Sequence, residues 1–348
     1  MVTNALFVLT LAAFLMVVLT WGFKTLPQEQ WQIMATLPRR KDRWGQWVGV
    51  NLTYYGLLTA SAGTLAILAF LVLMASIGVP RGASVLAVVV LLACCLPAAK
   101  LVARIVERKR HTSSVAGAAF VGLLIMPAVV WLMNRFSGAP DRPLVAMIAA
   151  IAIAYILGEG LGRLACISFG CCYGRPISEV RAPARRLFER FHFAFYGETK
   201  KIAYAANLEG IKVVPIQALT SVLYVGAGLV GMLLFLESHF RAAFVLTMLM
   251  SHAWRAYSET LRADDRGGGT ISVYQVMALF GLLYAVGVGV FLPDGTAARA
   301  DLGAGLSALW DPAVIIALQV LWAVMFVVTG WSMVTGSLLT FHVHRDRI

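Results

Sequence analysis

The chain is 348 residues long, 60% hydrophobic and only 13% charged, with 29 Lys+Arg against 17 Asp+Glu and a net charge of +12. Soluble domains carry roughly 25% charged residues, so this sequence lacks the polar surface that a water-soluble core of its size needs. The basic excess suits loops lying on anionic headgroups, or a phosphate-bearing ligand. Because no basic domain stands apart from the apolar runs, nucleic acid is not an expected partner.

Nine apolar runs, at 5–23, 54–77, 83–102, 115–133, 144–161, 216–236, 242–257, 273–292 and 314–339, come close to or exceed the length that spans a bilayer. Crossing a ~30 Å hydrocarbon layer takes about 20 helical residues. The runs predict an all-α polytopic membrane protein of about nine transmembrane helices. The first run has no basic leader and no small-residue cleavage site, so it reads as a retained helix. After it comes a hydrophilic segment, 24–50, with Trp31, Trp44 and Trp47, residues that favour the headgroup layer. Within it, 29–37 predicts a short surface helix. Cys94 and Cys95 fall mid-run and read as small buried hydrophobes. The longest polar interruption, 171–214, mixes Arg175, Arg181, Arg185, Arg186, Arg190, Lys200, Lys201 and Lys212 with five aromatics, and predicts a small interfacial head segment. Residues 264–269 read as a Gly-rich turn. The expected division is an N-terminal helix with a Trp-containing segment (1–50), a membrane core (51–292) and a further C-terminal helix with a short tail (293–348). With nine helices, the loops on the side of the head segment carry 21 Lys/Arg against five on the other, and the positive-inside rule assigns that side to the cytoplasm.

Chemistry concentrates in two stretches. In 158–176, Arg163 lies a turn or more inside an apolar helix, at a depth where an unpaired charge costs several kcal/mol and marks function by default. Glu159, four residues earlier on the same face, is in the favourable order for pairing with it. A purely structural ion pair is the competing reading, and a site opening at the membrane interface is preferred. Cys166, Cys171 and Cys172 follow as C-x4-C-C, which lacks a second ligand pair at zinc spacing. Close packing or a disulfide is expected there, not a metal. The second stretch, 252–262, sets His252, Arg255, Glu259 and Arg262 on one helical stripe, which needs a polar cavity inside a membrane. A guanidinium fork matches phosphate oxygens, and a nearby carboxylate can hold it in place. These residues point to a membrane enzyme or transporter that handles an anionic headgroup, without choosing between the two.

Together the two motifs resemble the prolipoprotein diacylglyceryl transferase family. These integral enzymes move the diacylglyceryl group of phosphatidylglycerol onto a lipobox cysteine and release glycerol phosphate. The family's first signature, G-R-[LI]-G-[NC]-F-x-x-G-x-x-x-G-[RK]-P, reads here from Gly162, Arg163, Leu164, Ala165 and Cys166 through Gly170 to Gly174, Arg175 and Pro176. The late signature, R-x3-E-x2-R and then Gln, matches Arg255, Glu259, Arg262 and Gln275. Weaker echoes are Tyr54-Tyr55-Gly56-Leu57 and Pro215-x-Gln217, and the likeness runs from about 54 to 292.

The resemblance implies that Arg163 and Arg255 clamp the leaving phosphate, with Arg262 in support and Glu259 orienting Arg255. It implies a lipid site shaped by Tyr55, Glu159, Cys166, Gly170, Gly174, Arg175, Gln217 and Gln275, and no cofactor. The family's His-Gly-Gly segment has no counterpart in 113–122, which leaves His111 or His252 as general bases by position. Cys166 and Cys171 replace the family's Asn and Glu. The resemblance also implies a bacterial inner-membrane protein with an extracytoplasmic catalytic face, the N-terminus inside and the C-terminus outside, opposite to the charge rule; the family orientation is preferred. Two other functions fit the same residues: a phosphatidylglycerol-dependent transferase with another acceptor or transferred group, and a lipid-binding or transport protein without catalysis.

Overall fold

The structure, a computed structural model, describes residues 2–108, 114–136, 144–264, 271–292 and 299–348. Among them, eight helices are long and apolar enough to cross a membrane. These are α1 (Val2–Thr25), α2 (Tyr54–Ser76), α3 (Arg81–Val106), α4 (Val115–Phe136), α5 (Leu144–Phe169), α8 (Ile216–Leu236), α10 (Val273–Phe291) and α12 (Pro312–Gly330). The remaining expected run, 242–257, forms α9 (Phe240–Ser258), of comparable length but less apolar, because its last turns carry His252 and Arg255. Short helices α6 (Ala184–Arg190), α7 (Lys201–Ala206) and α11 (Leu302–Ser307) lie in the connections. The protein is a helical, polytopic membrane protein, as its composition predicts. His111 and most of the Gly-rich stretch at 264–269 lie outside the described residues.

Helix α5 is the axis of the bundle, packed against α2, α8 and α9 and buried along most of its length. Its first half is rich in alanine, and Ala146, Ala149, Ala150 and Ala152 are fully buried. Small side chains let neighbouring helices close in where apolar lipid supplies no hydrophobic drive. The same burial shields the charged second half of α5 from hydrocarbon, where Glu159 and Arg163 would be costly.

Two expectations are corrected at the chain's extensions. The segment 29–37 is not a surface helix: a single 3₁₀ turn, Glu29–Trp31, leads into strand β1 (Ile33–Lys41). The run 314–339 is helical only to Gly330 and continues as β3 (Trp331–Leu339). Both strands flank β2 (Trp47–Thr53) in an antiparallel sheet of order β1-β2-β3. The reversal between β1 and β2 is set by Asp42, whose Oδ1 accepts the N–H groups of Trp44 and Gln46 at 2.9 Å each, the local bonding that makes Asp a turn former. Asn51, fully buried on β2, bonds Thr36 of β1 and Thr335 and Ser337 of β3 at 2.7–3.1 Å. The start of α2 meets the end of α12 at paired glycines: a Cβ on Gly56 would lie 2.1 Å from the Gly330 Cα. The N- and C-terminal extensions thus form one layer. If α9 spans with the other eight, alternation sets this sheet, the head segment and the C-terminal ends of α5 and α9 on the same side.

Candidate active site

Tyr155, Glu159 and Arg163 follow one another at four-residue intervals on α5, so they stack along one face. Glu159 is the hub. It accepts hydrogen bonds from Tyr155 Oη and Arg163 Nη2, and from Arg255 Nη2 at 2.5 Å to each carboxylate oxygen. Arg255 reaches it from the last turn of α9 and also donates to Tyr155 Oη at 2.9 Å. Glu159 and Arg255 are both under 10% exposed. Two guanidiniums against one carboxylate leave the cluster with one net positive charge. Arg163 Nε is buried without a hydrogen-bond partner among the described residues, a donor that a ligand can fill.

Four-residue spacing predicts that Glu259 orients Arg255. The structure gives Arg255 to Glu159, 96 residues away, while Glu259 lies in the turn after α9, 3.6 Å from Arg262. Arg262 is gripped mainly by Asp264, with Nε and Nη2 donating to its two oxygens at 2.7 and 2.5 Å. That bidentate pair holds the Arg262 fork in place.

The two signatures meet in the chain that follows α5. Gly170 (φ 71°) and Cys172 (φ 56°) are left-handed, and they turn the backbone back so that Cys171 N–H bonds Cys166 O at 3.0 Å. The next residues form a short extended rung between the other two segments. Ala263 N–H bonds Tyr173 O and Arg175 N–H bonds Leu261 O, while on the other edge Val214 N–H bonds Arg175 O, at 2.9–3.1 Å. Gly174 is required by closeness, since a Cβ there would lie 2.3 Å from Val214 O. Gly174→Val should therefore separate the rung from the head segment. Its expected result is a lower unfolding temperature in detergent and proteolysis near 174, with Gly174→Ala intermediate.

Gln217 is fully buried at the start of α8, its Nε2 donating to Cys171 O at 2.8 Å and its Oε1 without a partner among the described residues. Tyr55 packs edge-on to Phe169 at 5.8 Å between centroids. Arg175 donates Nε to Arg262 O at 3.3 Å from an exposed position. Gln275 completes a capping box with Ser272 at the start of α10 and donates to Ala256 O at 3.2 Å, so its amide clamps α10 to α9. His252 is buried, with Nδ1 3.0 Å from Met248 O and its ring against Gly281 of α10; the carbonyl partner makes Nδ1 the protonated nitrogen.

Spacing alone missed three residues. Tyr155 had a signal, four residues before Glu159, but a tyrosine in an apolar run reads as core. Asp264 sat at the edge of a turn. Lys200 falls in the sequence among the basic residues of the head segment, yet it is fully buried, donating Nζ to Ser168 O at 2.7 Å and Leu26 O at 3.1 Å. It ties the ends of α5 and α1 to the head segment behind the turn at Gly170. Burial lowers its amine from 10.5 to about 7, with Glu29 opposing. Between about pH 7 and 10.5 the unfolded chain then holds a proton that the folded chain lacks, so stability rises with pH through that window. The wild-type unfolding temperature should climb from pH 7 to pH 9. Lys200→Met should flatten that dependence and cost about 1–3 kcal/mol for each carbonyl left unpaired.

The sequence profile of the prolipoprotein diacylglyceryl transferase family matches residues 46–291. The chain belongs to that family. No curated protein matches the sequence. The match spans β2 to α10 and contains Tyr55, Arg163, Arg255 and Arg262; α1, β1, α12 and β3 lie outside it. Membership places the protein among the membrane transferases of lipoprotein biosynthesis, whose family activity is diacylglyceryl transfer to prolipoproteins. In this diacylglyceryl transferase core, both signatures contribute an arginine to the carboxylate of Glu159 or to the rung beside it.

Proposed function

We propose that the protein transfers the diacylglyceryl group of phosphatidylglycerol to the lipobox cysteine of prolipoproteins, on the extracytoplasmic side of a bacterial inner membrane. The observation that carries this reading is the buried Arg163–Glu159–Arg255 cluster. Its single net positive charge matches the single negative charge of a phosphodiester, and its free Arg163 Nε offers a donor.

In the reaction, the acceptor thiolate attacks the sp³ glyceryl carbon, a C–S bond forms, and the C–O bond to phosphate breaks. Charge builds on the departing glycerol phosphate. Donors fixed before the reaction, in a site shielded from water, stabilise such charge without reorganising. Glu159 and Tyr155 supply that fixing. Arg163 and Arg255 take the phosphate, Arg262 supports the rung, and Tyr55 with the 170–174 turn borders the lipid.

The donor is tested with headgroup-labelled phosphatidylglycerol, phosphatidylethanolamine and cardiolipin, each incubated with purified protein and a lipobox peptide. Labelled glycerol phosphate from phosphatidylglycerol alone supports the reading; no release from any of the three removes it. Sidedness is read from a C-terminal alkaline phosphatase fusion, which is active only outside the cytoplasm. Activity is expected, and silence would restore the charge-rule orientation.

A second reading keeps the donor and changes the acceptor. It draws on the β1-β2-β3 sheet, two of whose strands lie outside the family match. Glycerol phosphate release that needs membrane extract and ignores lipobox peptide would favour it.

A further inference from the structure

The cysteines of the first signature are closer in space than their C-x4-C-C spacing suggests. The sulfur atoms of Cys166, Cys171 and Cys172 all lie within 4.8 Å of one another, each half-buried and each a free thiol. Adjacent residues in an extended chain send their side chains to opposite sides. Here the left-handed Cys172 (φ 56°) breaks that alternation, and the turn at Gly170 folds Cys171 back onto the helix end that carries Cys166. In a tetrahedral site with Zn–S bonds of ~2.3 Å, sulfurs stand about 3.8 Å apart. Closing to that spacing takes movements of about 1 Å or less.

We propose that Cys166, Cys171 and Cys172 form a three-thiolate site for a thiophilic divalent cation of the zinc class, whose open fourth position takes the acceptor's thiol. This revises the expectation of no metal, which weighed the spacing alone. The role assigned to the fourth position rests on the transferase reading.

Three protein ligands and one open position are the pattern of a working zinc site, as opposed to a closed structural one. Three thiolates and a divalent cation carry one net negative charge, and the guanidiniums of Arg163 and Arg262 lie within electrostatic reach of the cysteines. A thiol that enters the fourth position loses its proton to water on coordination. Its sulfur then attacks the glyceryl carbon, the C–O electron pair leaves with glycerol phosphate, and the thioether, a poor ligand, departs. No histidine base is needed, which fits a signature region without the family's histidine.

The test uses the full-length protein purified in detergent under reducing conditions. After incubation with Zn²⁺ and desalting, elemental analysis should find about one equivalent per chain, and the Cys166→Ser/Cys171→Ser/Cys172→Ser variant should find almost none. The Co²⁺-loaded wild type should show thiolate-to-metal absorption that shifts when a lipobox peptide is added, but not when its cysteine is replaced by serine. Sub-stoichiometric zinc in the wild type, or equal zinc in the triple variant, overturns the site. An unshifted cobalt spectrum overturns the acceptor role. Thioether formation by metal-free, chelator-treated protein overturns this inference and leaves the transferase reading standing. A cobalt shift without any thioether product supports the inference and counts against that reading.

Discussion

Glu159→Gln is expected to cost more stability than any other single substitution in the bundle and to lower transfer at least a hundredfold. The carboxylate is the shared partner of Arg163 and Arg255 and accepts from Tyr155 as well. Gln keeps the shape and one acceptor but removes the charge, leaving two guanidiniums facing each other in a nearly dry site. Breaking a buried ion pair from one side costs roughly 3–5 kcal/mol, because the remaining charge stays buried and unpaired. The measurement is unfolding in detergent, with Arg255→Gln and the double variant beside it. Since the two groups act on one another, the double variant should be more stable than the sum of the single losses implies. Additive losses would mean that the Glu159–Arg255 contact contributes little.

Arg163→Ala is expected to lower kcat for transfer by about 10²–10³, the size seen when a preorganised donor to developing charge is removed. Arg163→Lys should recover little, because an ammonium cannot both keep the Glu159 contact and supply the free donor that Nε provides. Arg262→Ala should behave differently. Its fork is occupied by Asp264 and it stands over the rung from 173 to 177, so stability should fall more than turnover. Kinetics and unfolding measured on the same preparations separate the two arginines. Equal effects of both on kcat would show that Arg163 has no special place at the leaving group.

Much of the fold was legible because membrane spans write themselves in long apolar runs, and the nine runs fall on the nine long helices among the described residues. The two exceptions have different causes. An apolar run gives no periodicity that separates helix from strand, so 331–339 merged with α12, although it pairs with β2, nearly 300 residues earlier in the chain. The strand at 33–41 was hidden for the opposite reason, since half of it is polar and its partner comes only after a turn. In the site, Glu159 and Arg163 were legible because helical neighbours at four residues meet. The bond that organises the centre, Glu159 to Arg255, joins two helices and leaves no trace in local spacing. Glu259 fitted the local rule as a partner for Arg255 but stands beside Arg262 instead. Lys200 shows the same limit: a lysine in a basic loop reads as solvated, and only packing shows two carbonyls closing around it.

The most direct test of the account is mass spectrometry of a lipobox peptide after incubation with phosphatidylglycerol and either the wild type or Arg163→Ala. A diacylglyceryl thioether on the cysteine, with equimolar glycerol phosphate, is expected from the wild type, and at least a hundredfold less of both from the variant over the same time. An unmodified peptide with the wild type, under conditions where the protein is folded and binds the lipid, would contradict it.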